Sequence, residues 1–448
     1  MAKSFKIKHI LPFLFIIIFA SLVLLPNLNK PFIGHHDWNG VFYSHISRNY
    51  LRYGLKVTQL GQVTSSGLIL IDQLQHYTHY PPLMPLLLAL DFKLFGISDI
   101  TARLFPISLT ILSFLVVFRI TQKLKLSTLI GLTSTLVVFT PMIRYFSHMP
   151  SQEALMVFLS IFSVNLYVSL ITNPKPKHRY KFYLVAFFNG LSGWAGYFIY
   201  PILAIHAWLF HKKTFPIIFK SILTLIFTFI LHLTHTYILT GSITGGGLID
   251  ALLLRLNLYP LLGKTPPELP GQFTWLNYLK KQVSWLTVYY TATVLIASFI
   301  NLLFIIKKLI KRQSIKLLDS ITLIFLFWGL TYPIIFSNVV FVHEYFNIFF
   351  WPFLAFSLVS FFHHLFNLQG QALKAAGVAV IVTTLIFFER RSFIQALFDT
   401  QAHLPGYQLG LEINQNTPPD QTAYIIASEE FTDVQEVFLK YYSDRQII

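Results

Sequence analysis

The chain has 448 residues, of which 54% are hydrophobic, 17% aromatic and 12% charged. A soluble domain carries about a quarter charged residues, so this composition excludes an ordinary water-soluble globule and specifies a polytopic membrane protein. The net charge of +16 comes from short Lys/Arg runs between apolar segments, the pattern of orientation signals and not of a nucleic-acid surface, and the lack of cysteine excludes disulfides and thiolate sites.

In chain order, apolar segments are expected to cross the membrane at about 10–27, 101–121, 127–146, 153–172, 182–199, 201–211, 214–239, 285–306, 317–337, 347–366 and 372–389. Most run about 18 to 22 residues, which at 1.5 Å per residue spans a hydrocarbon core of roughly 30 Å; barrel strands would be half as long. The first segment is followed by Pro26-Asn27-Leu28-Asn29 with no small-residue cleavage site, and reads as an anchor instead of a signal peptide. Gly190, Gly193, Gly196 and Pro201 interrupt the fifth and sixth segments, whose break is expected at Pro201.

Each connection expected inside the cell is basic: Lys123/Lys125, the run Lys175 to Lys181, Lys212-Lys213, Lys307 to Lys316, and Lys374. Asp319 is the one acidic residue on that side, so the positive-inside rule puts the amino terminus in the cytoplasm. The expected fold is an all-α polytopic protein of the plasma membrane with about eleven helices. Its catalytic module covers 1–389, with large outer loops at 28–100 and 240–284, and a small α/β tail covers 390–448.

Within the first loop, Val41 to Tyr53 has the apolar spacing of an interfacial helix. Pro82 to Phe95 makes a second one, because Asp91 and Lys93 interrupt it as a span. The loop 240–284 holds Gly245-Gly246-Gly247 and Pro266-Pro267 and is expected to cover a site; in the tail, Thr422 to Ala427 reads as a strand and Glu429 to Tyr442 as a helix.

Asp37, in His35-His36-Asp37-Trp38-Asn39-Gly40, emerges at the outer membrane surface. His36, Trp38 and Asn39 supply rings and an amide of the kind that hold sugars and orient a base; the plain alternative is a solvated surface charge. Glu153 follows Pro150-Ser151-Gln152 at an outer helix start, either capping that helix or flanking one cavity with Asp37. His343-Glu344-Tyr345 reach the same surface beside an apolar run, lining a wet cavity or forming an interfacial belt. Arg103 and Arg144 sit at outer helix ends, to clamp a phosphate on two oxygens or to snorkel to head groups. No cofactor is firmly expected. A divalent metal is possible at His35-His36-Asp37 with His76 and His79, although adjacent histidines point apart and no two-His helical spacing occurs.

Several stretches carry a resemblance: His36-Asp37-Trp38-Asn39-Gly40 through Tyr50, Tyr80-Pro81-Pro82-Leu83, and Leu94-Phe95-Gly96 followed by Thr101-Ala102-Arg103-Leu104-Phe105-Pro106. With Glu153, and Tyr345 ahead of Trp351-Pro352, the chain resembles the GT-C class membrane glycosyltransferases, close to the bacterial protein mannosyltransferase and aminoarabinose transferase families. The similarity covers roughly the first 170 residues, and the remainder mainly as hydropathy. It implies a polyprenyl-phosphate-linked sugar donor, an extracytoplasmic site, Asp37 as general base in an inverting transfer, and Glu153 as a second acid. Tyr80, Arg103, Arg144, His343, Glu344 and Tyr345 are then substrate-binding. Many relatives carry Asp-Glu where this chain has Asp37-Trp38, so the acceptor (glycan, lipid or protein) and any metal requirement stay open. Two other functions stay open: a lipid-linked oligosaccharide polymerase or ligase, relying on basic and His residues, and a lipid or sugar transporter. For the transporter, His232 and His235 are the nearest mid-span ionisable groups.

Overall fold

The computed structural model of the chain describes residues 2–244, 247–258, 273–367, 377–379, 381–384, 390–425 and 433–447. The expected span 372–389 lies largely outside the described residues, as do Lys264, Pro266-Pro267, Lys374 and 426–432.

Helix α1 (Ala2–Leu24) buries Ile16, Ala20 and Leu24, a stripe at i, i+4, on the side that packs against α4 (Asp99–Lys123). Its Leu11, Leu14, Ile18 and Leu22 are exposed, as lipid-facing side chains are. Between these two helices the long connection folds into α2 (Asp37–Val57), a short antiparallel pair of β1 (Gln62–Val63) with β2 (His76–Tyr77), and α3 (Leu83–Phe95). The expected interfacial helices are therefore present. The first is not a surface helix, however: Val41, Tyr43, Ile46, Arg48, Asn49 and Tyr50 are all buried, because α3 packs on one side of it and the carboxyl-terminal tail on the other.

The expected span 127–146 is not one helix. It forms α5 (Thr128–Leu132), a 3-10 stretch over Thr133–Phe139 and α6 (Pro141–Phe146). Pro141 excludes the helical region for the residue before it, and Thr140 accordingly adopts ψ 144°. Helix α7 (Gln152–Thr172) is almost wholly buried and forms the centre of the bundle. Helices α8 (Pro176–Gly190) and α9 (Trp194–Phe210) are two, as expected, but they divide at 191–193 and not at Pro201, which lies inside α9. Gly193 makes the turn at φ +146°, where a Cβ would sit 2.8 Å from the Met156 sulfur, so only glycine fits.

Helices α10 (Phe215–Thr240), α11 (Leu248–Arg255) and α12 (Trp275–Tyr290) follow. The expected span 285–306 begins late, because Thr291 at φ +67° divides α12 from α13 (Ala292–Ile310). After α14 (Leu317–Ile335) and α15 (Ser337–Val342), a 3-10 segment Glu344–Phe350 leads into α16 (Trp351–Asn367). Among the described residues, six segments are long and apolar enough to cross a membrane: α4, α7, α10, α13, α14 and Glu344–Asn367. Three apolar helical stretches, Ile10–Leu24, Thr128–Phe139 and Trp194–Phe210, are shorter. The architecture is thus the expected all-α polytopic one, with fewer clear spans than eleven because Pro, Gly and left-handed residues cut several segments.

The tail contributes α17 (Arg391–Asp399), α18 (Leu404–Asn416), α19 (Asp433–Ser443) and a parallel pair of β3 (Thr422–Ala423) with β4 (Gln446–Ile447), the small α/β unit expected. Helix α19 is fastened to α2: Arg48 donates to Tyr441 O (2.8 Å), and both Arg48 and Arg52 pair with Asp444. Tyr441 and Tyr442 donate to the Asp99 carboxylate at the start of α4 (3.1 and 2.8 Å), and Tyr442 Oη accepts from Phe32 N (2.8 Å). The tail therefore clamps the connection between α1 and α2.

Two features of this clamp generate predictions. A Cβ on Gly40 would lie 2.5 Å from the fully buried Phe32 ring, so Gly40→Ala is expected to destabilise the protein by about 1–3 kcal/mol, read as a lowered unfolding midpoint in detergent. His45 Nδ1 accepts from Arg48 (2.9 Å) and its Nε2 donates to Ser65 O (2.9 Å), a neutral ring whose pKa is held well below normal by burial and then by the Arg48 charge. Burial, then the charge of Arg103, likewise pushes His148 down to about 3. For both rings the unfolded chain binds the proton more readily, so their stabilisation is complete above the unfolded pKa of about 6.5 and is lost as pH falls from there towards 3. Unfolding midpoints measured from pH 7.5 to pH 4 should fall, and less so in His148→Gln.

Candidate active site

Asp37 is the first residue of α2, where a negative charge complements the helix dipole. The carboxylate is buried, and its Oδ2 accepts from Gly34 N (2.8 Å) and from Arg103 Nη2 (3.3 Å). Arg103 lies one turn into α4 and is buried too. Its other donors reach the carbonyls of Lys30 (3.3 Å), Pro31 (3.2 Å) and His148 (3.4 Å), and its guanidinium stacks 4.1 Å from the centre of the Phe32 ring. All three nitrogens of Arg103 are therefore engaged by protein groups, and it does not project a free fork. Among the described residues Asp37 Oδ1 has no hydrogen-bond partner, which leaves it to the adjoining space.

That space is a cavity of about 350 Å³ lined by Lys30, Asp37, Arg103, Tyr145, Phe398 and Asp399 among others. Its volume suits a small ligand such as a sugar unit. The tail supplies one wall: Lys30 donates to Asp399 Oδ1 (2.5 Å) and to Phe398 O (3.1 Å). Tyr145 of α6 donates to His35 O (2.6 Å) and so fixes the loop just ahead of Asp37.

The two histidines before Asp37 do not point apart. His36 is left-handed (φ 57°, ψ 13°), which turns the chain so that the two rings lie 4.1 Å apart. Both Nε2 atoms meet one carboxylate: His35 contacts Glu344 Oε1, and His36 lies 3.0 Å from Oε2. Tyr289 of α12 donates to Oε1 as well (2.9 Å). One ligand atom from each of His35, His36 and Glu344 falls within 4.8 Å of the others, a donor set and spacing that fit a zinc-like divalent cation. Asp37, His76 and His79 are outside this cluster; Asp37 is turned to Gly34 and Arg103, and His76 stands on β2 within electrostatic reach of His235.

Glu153 does not line the Asp37 cavity. It is buried in the first turn of α7, within electrostatic reach of Tyr43, Tyr77, Tyr80, Tyr345 and Arg255, and its Oε2 has no hydrogen-bond partner. Ser151 is the residue before the helix but makes no side-chain capping bond, and Glu153 places its charge in the first turn, as the capping reading expects. Arg255, at the end of α11, donates to the hydroxyls of Tyr80 (2.8 Å) and Tyr332 (3.1 Å) and sits 5.0 Å over the Tyr80 ring. Among the described residues no carboxylate is within ion-pair distance of it.

Tyr345 and His343 join the two regions: Tyr345 packs 5.0 Å from His36, and His343 lies 5.5 Å from His36 and 5.3 Å from Tyr345. Burial, followed by the charge of His36, lowers the His343 pKa to about 4. Trp38 stacks on Phe42 (4.5 Å), and Asn39 donates to the Met149 sulfur (3.4 Å), so both brace α2. Arg144 is half-buried, with Arg391 as its charged neighbour. His232 and His235 bond the loop carbonyls of Thr78 (3.0 Å) and Gln59 (2.8 Å), tying α10 to the first loop, and do not line a mid-span path. Sequence reasoning missed Lys30, Tyr289, Asp399 and Arg255. Arg255 alone carried a signal, as the one cation of an apolar helix in a long outer loop.

The chain is similar in fold to solved structures of an ArnT and of an oligosaccharyltransferase. An ArnT from Cupriavidus metallidurans bound to undecaprenyl phosphate superposes with a TM-score of 0.63 at 10% identity, over 97% of this chain and 85% of that one. The same ArnT in its apo state gives 0.60 at 12% identity, over 100% and 86%. An Archaeoglobus fulgidus oligosaccharyltransferase in complex with zinc and sulfate gives 0.60 at 12% identity, over 96% of this chain. At these identities the likeness is one of fold, shared with the ArnT and oligosaccharyltransferase structures. The chain spans 62% of that oligosaccharyltransferase's length. No protein-family profile and no curated protein matches the sequence.

The histidine-carboxylate cluster predicts a measurable ion affinity. Zinc or manganese titrated by calorimetry into detergent-solubilised protein should bind one ion per chain, and Glu344→Ala should weaken that binding by about 10- to 100-fold or more.

Proposed function

We propose that the chain transfers a sugar from a polyprenyl-phosphate donor to an acceptor hydroxyl, on the extracytoplasmic face of the plasma membrane. The observation that carries this reading is the buried Asp37–Arg103 pair on a sugar-sized cavity, in a fold whose solved examples include one holding undecaprenyl phosphate. A lipid-linked donor keeps its phosphate at the interface with its sugar outside, so the catalyst must be an integral protein with an outward carboxylate.

Asp37 Oδ1 takes the acceptor proton as the acceptor oxygen bonds to the anomeric carbon, which requires an approach of about 3 Å. The bond from that carbon to the phosphate oxygen breaks, and its electron pair leaves with the polyprenyl phosphate. One displacement inverts the anomeric centre. Arg103 acts through Asp37, by holding the carboxylate in place. Arg255, with Tyr80 and Tyr332, is the cation best supported for the departing phosphate, since its present partners are neutral phenols. Glu153, with an unpartnered oxygen on the same side, orients the donor sugar by accepting from its hydroxyls. A divalent cation held by His35, His36 and Glu344 would supply positive charge beside the reacting groups. The catalytic module is 1–389, and the tail 390–448 forms a wall of the acceptor cavity through Phe398 and Asp399.

Asp37→Asn keeps the shape of the site and removes the base. Transfer from a polyprenyl-phosphate-linked sugar should fall by about 10²–10⁴-fold, with the unfolding midpoint showing that the variant folds. Full activity of this folded variant rejects the assignment, and so does Asp37-independent transfer from a pyrophosphate-linked oligosaccharide.

A further inference from the structure

Helix α4 has 25 residues and is about 37 Å long at 1.5 Å per residue, so its Lys123 end opens on the membrane face opposite Asp37 and Arg103. A second cavity, of about 500 Å³, lies there between α4, α7 and the start of α8. Two pairs of cations converge on it, each at i, i+4 on one helix face: Arg119 with Lys123 from α4, and Lys177 with Lys181 from α8. His178 adds a ring. Among the described residues, no carboxylate lies within ion-pair distance of any of the four cations.

Like charges at i, i+4 repel, and here two such pairs face one space without a counter-charge. Lys123 is fixed by neutral groups alone, donating to Asn165 O (2.8 Å) and Oδ1 (2.6 Å) and to Ser169 Oγ (2.5 Å), so its charge is held at the cavity wall. Arg119, Lys177 and Lys181 are exposed and keep their donors for a ligand. An orientation signal needs only basic residues anywhere in the loop, and Lys125, Lys175 and Arg179 already provide them outside the cavity. The convergence of the others therefore requires a separate explanation. Phe162 and Leu166 of α7 give the same cavity an apolar wall, which suits an anion carried on an acyl chain better than a free one.

We infer that the cavity between α4, α7 and α8 binds the phosphate-bearing headgroup of an anionic lipid in the leaflet opposite the Asp37 site. A phosphate group there accepts from the Arg119 fork and the two α8 lysines, while Lys123 adds its charge. The site is separate from sugar transfer and stands or falls without it.

The test measures retained lipid by native mass spectrometry and the unfolding midpoint of the full chain in detergent, with phosphatidylglycerol, phosphatidylcholine or inorganic phosphate added. Phosphatidylglycerol should stay bound and raise the midpoint by several degrees, well beyond the effect of the other two. The double variant Lys177→Gln, Lys181→Gln changes exposed side chains only, and should bind phosphatidylglycerol roughly 10- to 30-fold more weakly while keeping the unliganded midpoint. Equal responses to phosphatidylcholine and phosphatidylglycerol, or an undiminished response in the double variant, overturn the proposal. Inorganic phosphate reproducing the whole shift assigns the cavity to a soluble anion and overturns the lipid source.

Discussion

A buried guanidinium organises the end of the helix bundle that carries Asp37. Around the buried Arg103 guanidinium the fold supplies acceptors from three separate stretches: residues 30–31, Asp37 and His148. The connection after α1, the start of α2 and the turn before α7 are thereby fixed to one point on α4. Removing one member of a buried ion pair costs about 3–5 kcal/mol, chiefly because the other charge is left without a partner. The same pairing gives the Asp37 carboxylate a single orientation, with one oxygen engaged and the other directed to the cavity.

Local backbone strain then does what sequence spacing by itself could not. A left-handed residue other than glycine, Asn or Asp is unfavourable, and at His36 that conformation accompanies the sharing of one carboxylate by the His35 and His36 rings. Glu344 lies 308 residues beyond His36, so this contact joins the connection between α1 and α2 to the segment leading into α16. Tyr289 extends it to α12. The result is a rigid junction between the Asp37 cavity on one side and the tyrosine-lined region of Glu153 and Arg255 on the other.

The tail has a comparable role. Tyr441, Tyr442 and Asp444 close on α2 and α4 through charged hydrogen bonds, and the Lys30–Asp399 pair brings α17 over the cavity. Small polar segments at the end of a hydrophobic chain bury little apolar area of their own. Their position here comes from docking against a surface that the loop helices had already made, which is why a short tail contributes a wall to the site.

Composition and segment length were enough to specify a helical membrane protein, and α4, α7, α10 and α14 fell where the apolar runs predicted them. The basic runs and the acidic residues Asp37 and Glu153 were also legible, since charges next to apolar segments are conspicuous. Segments broken by Pro141, Gly193 and Thr291 were misread, because one backbone dihedral ends a helix without changing its average hydropathy. The partners were invisible as well. Asp37 with Arg103, and His35 and His36 with Glu344, are 66 and about 308 residues apart in sequence, and no periodicity relates positions so distant. The sequence determined by itself which segments leave water and which charges stand at their ends, since both follow from local transfer free energies. Only the tertiary structure decided which of those charges meet, because pairing depends on how separate helices pack and on the left-handed turn at His36.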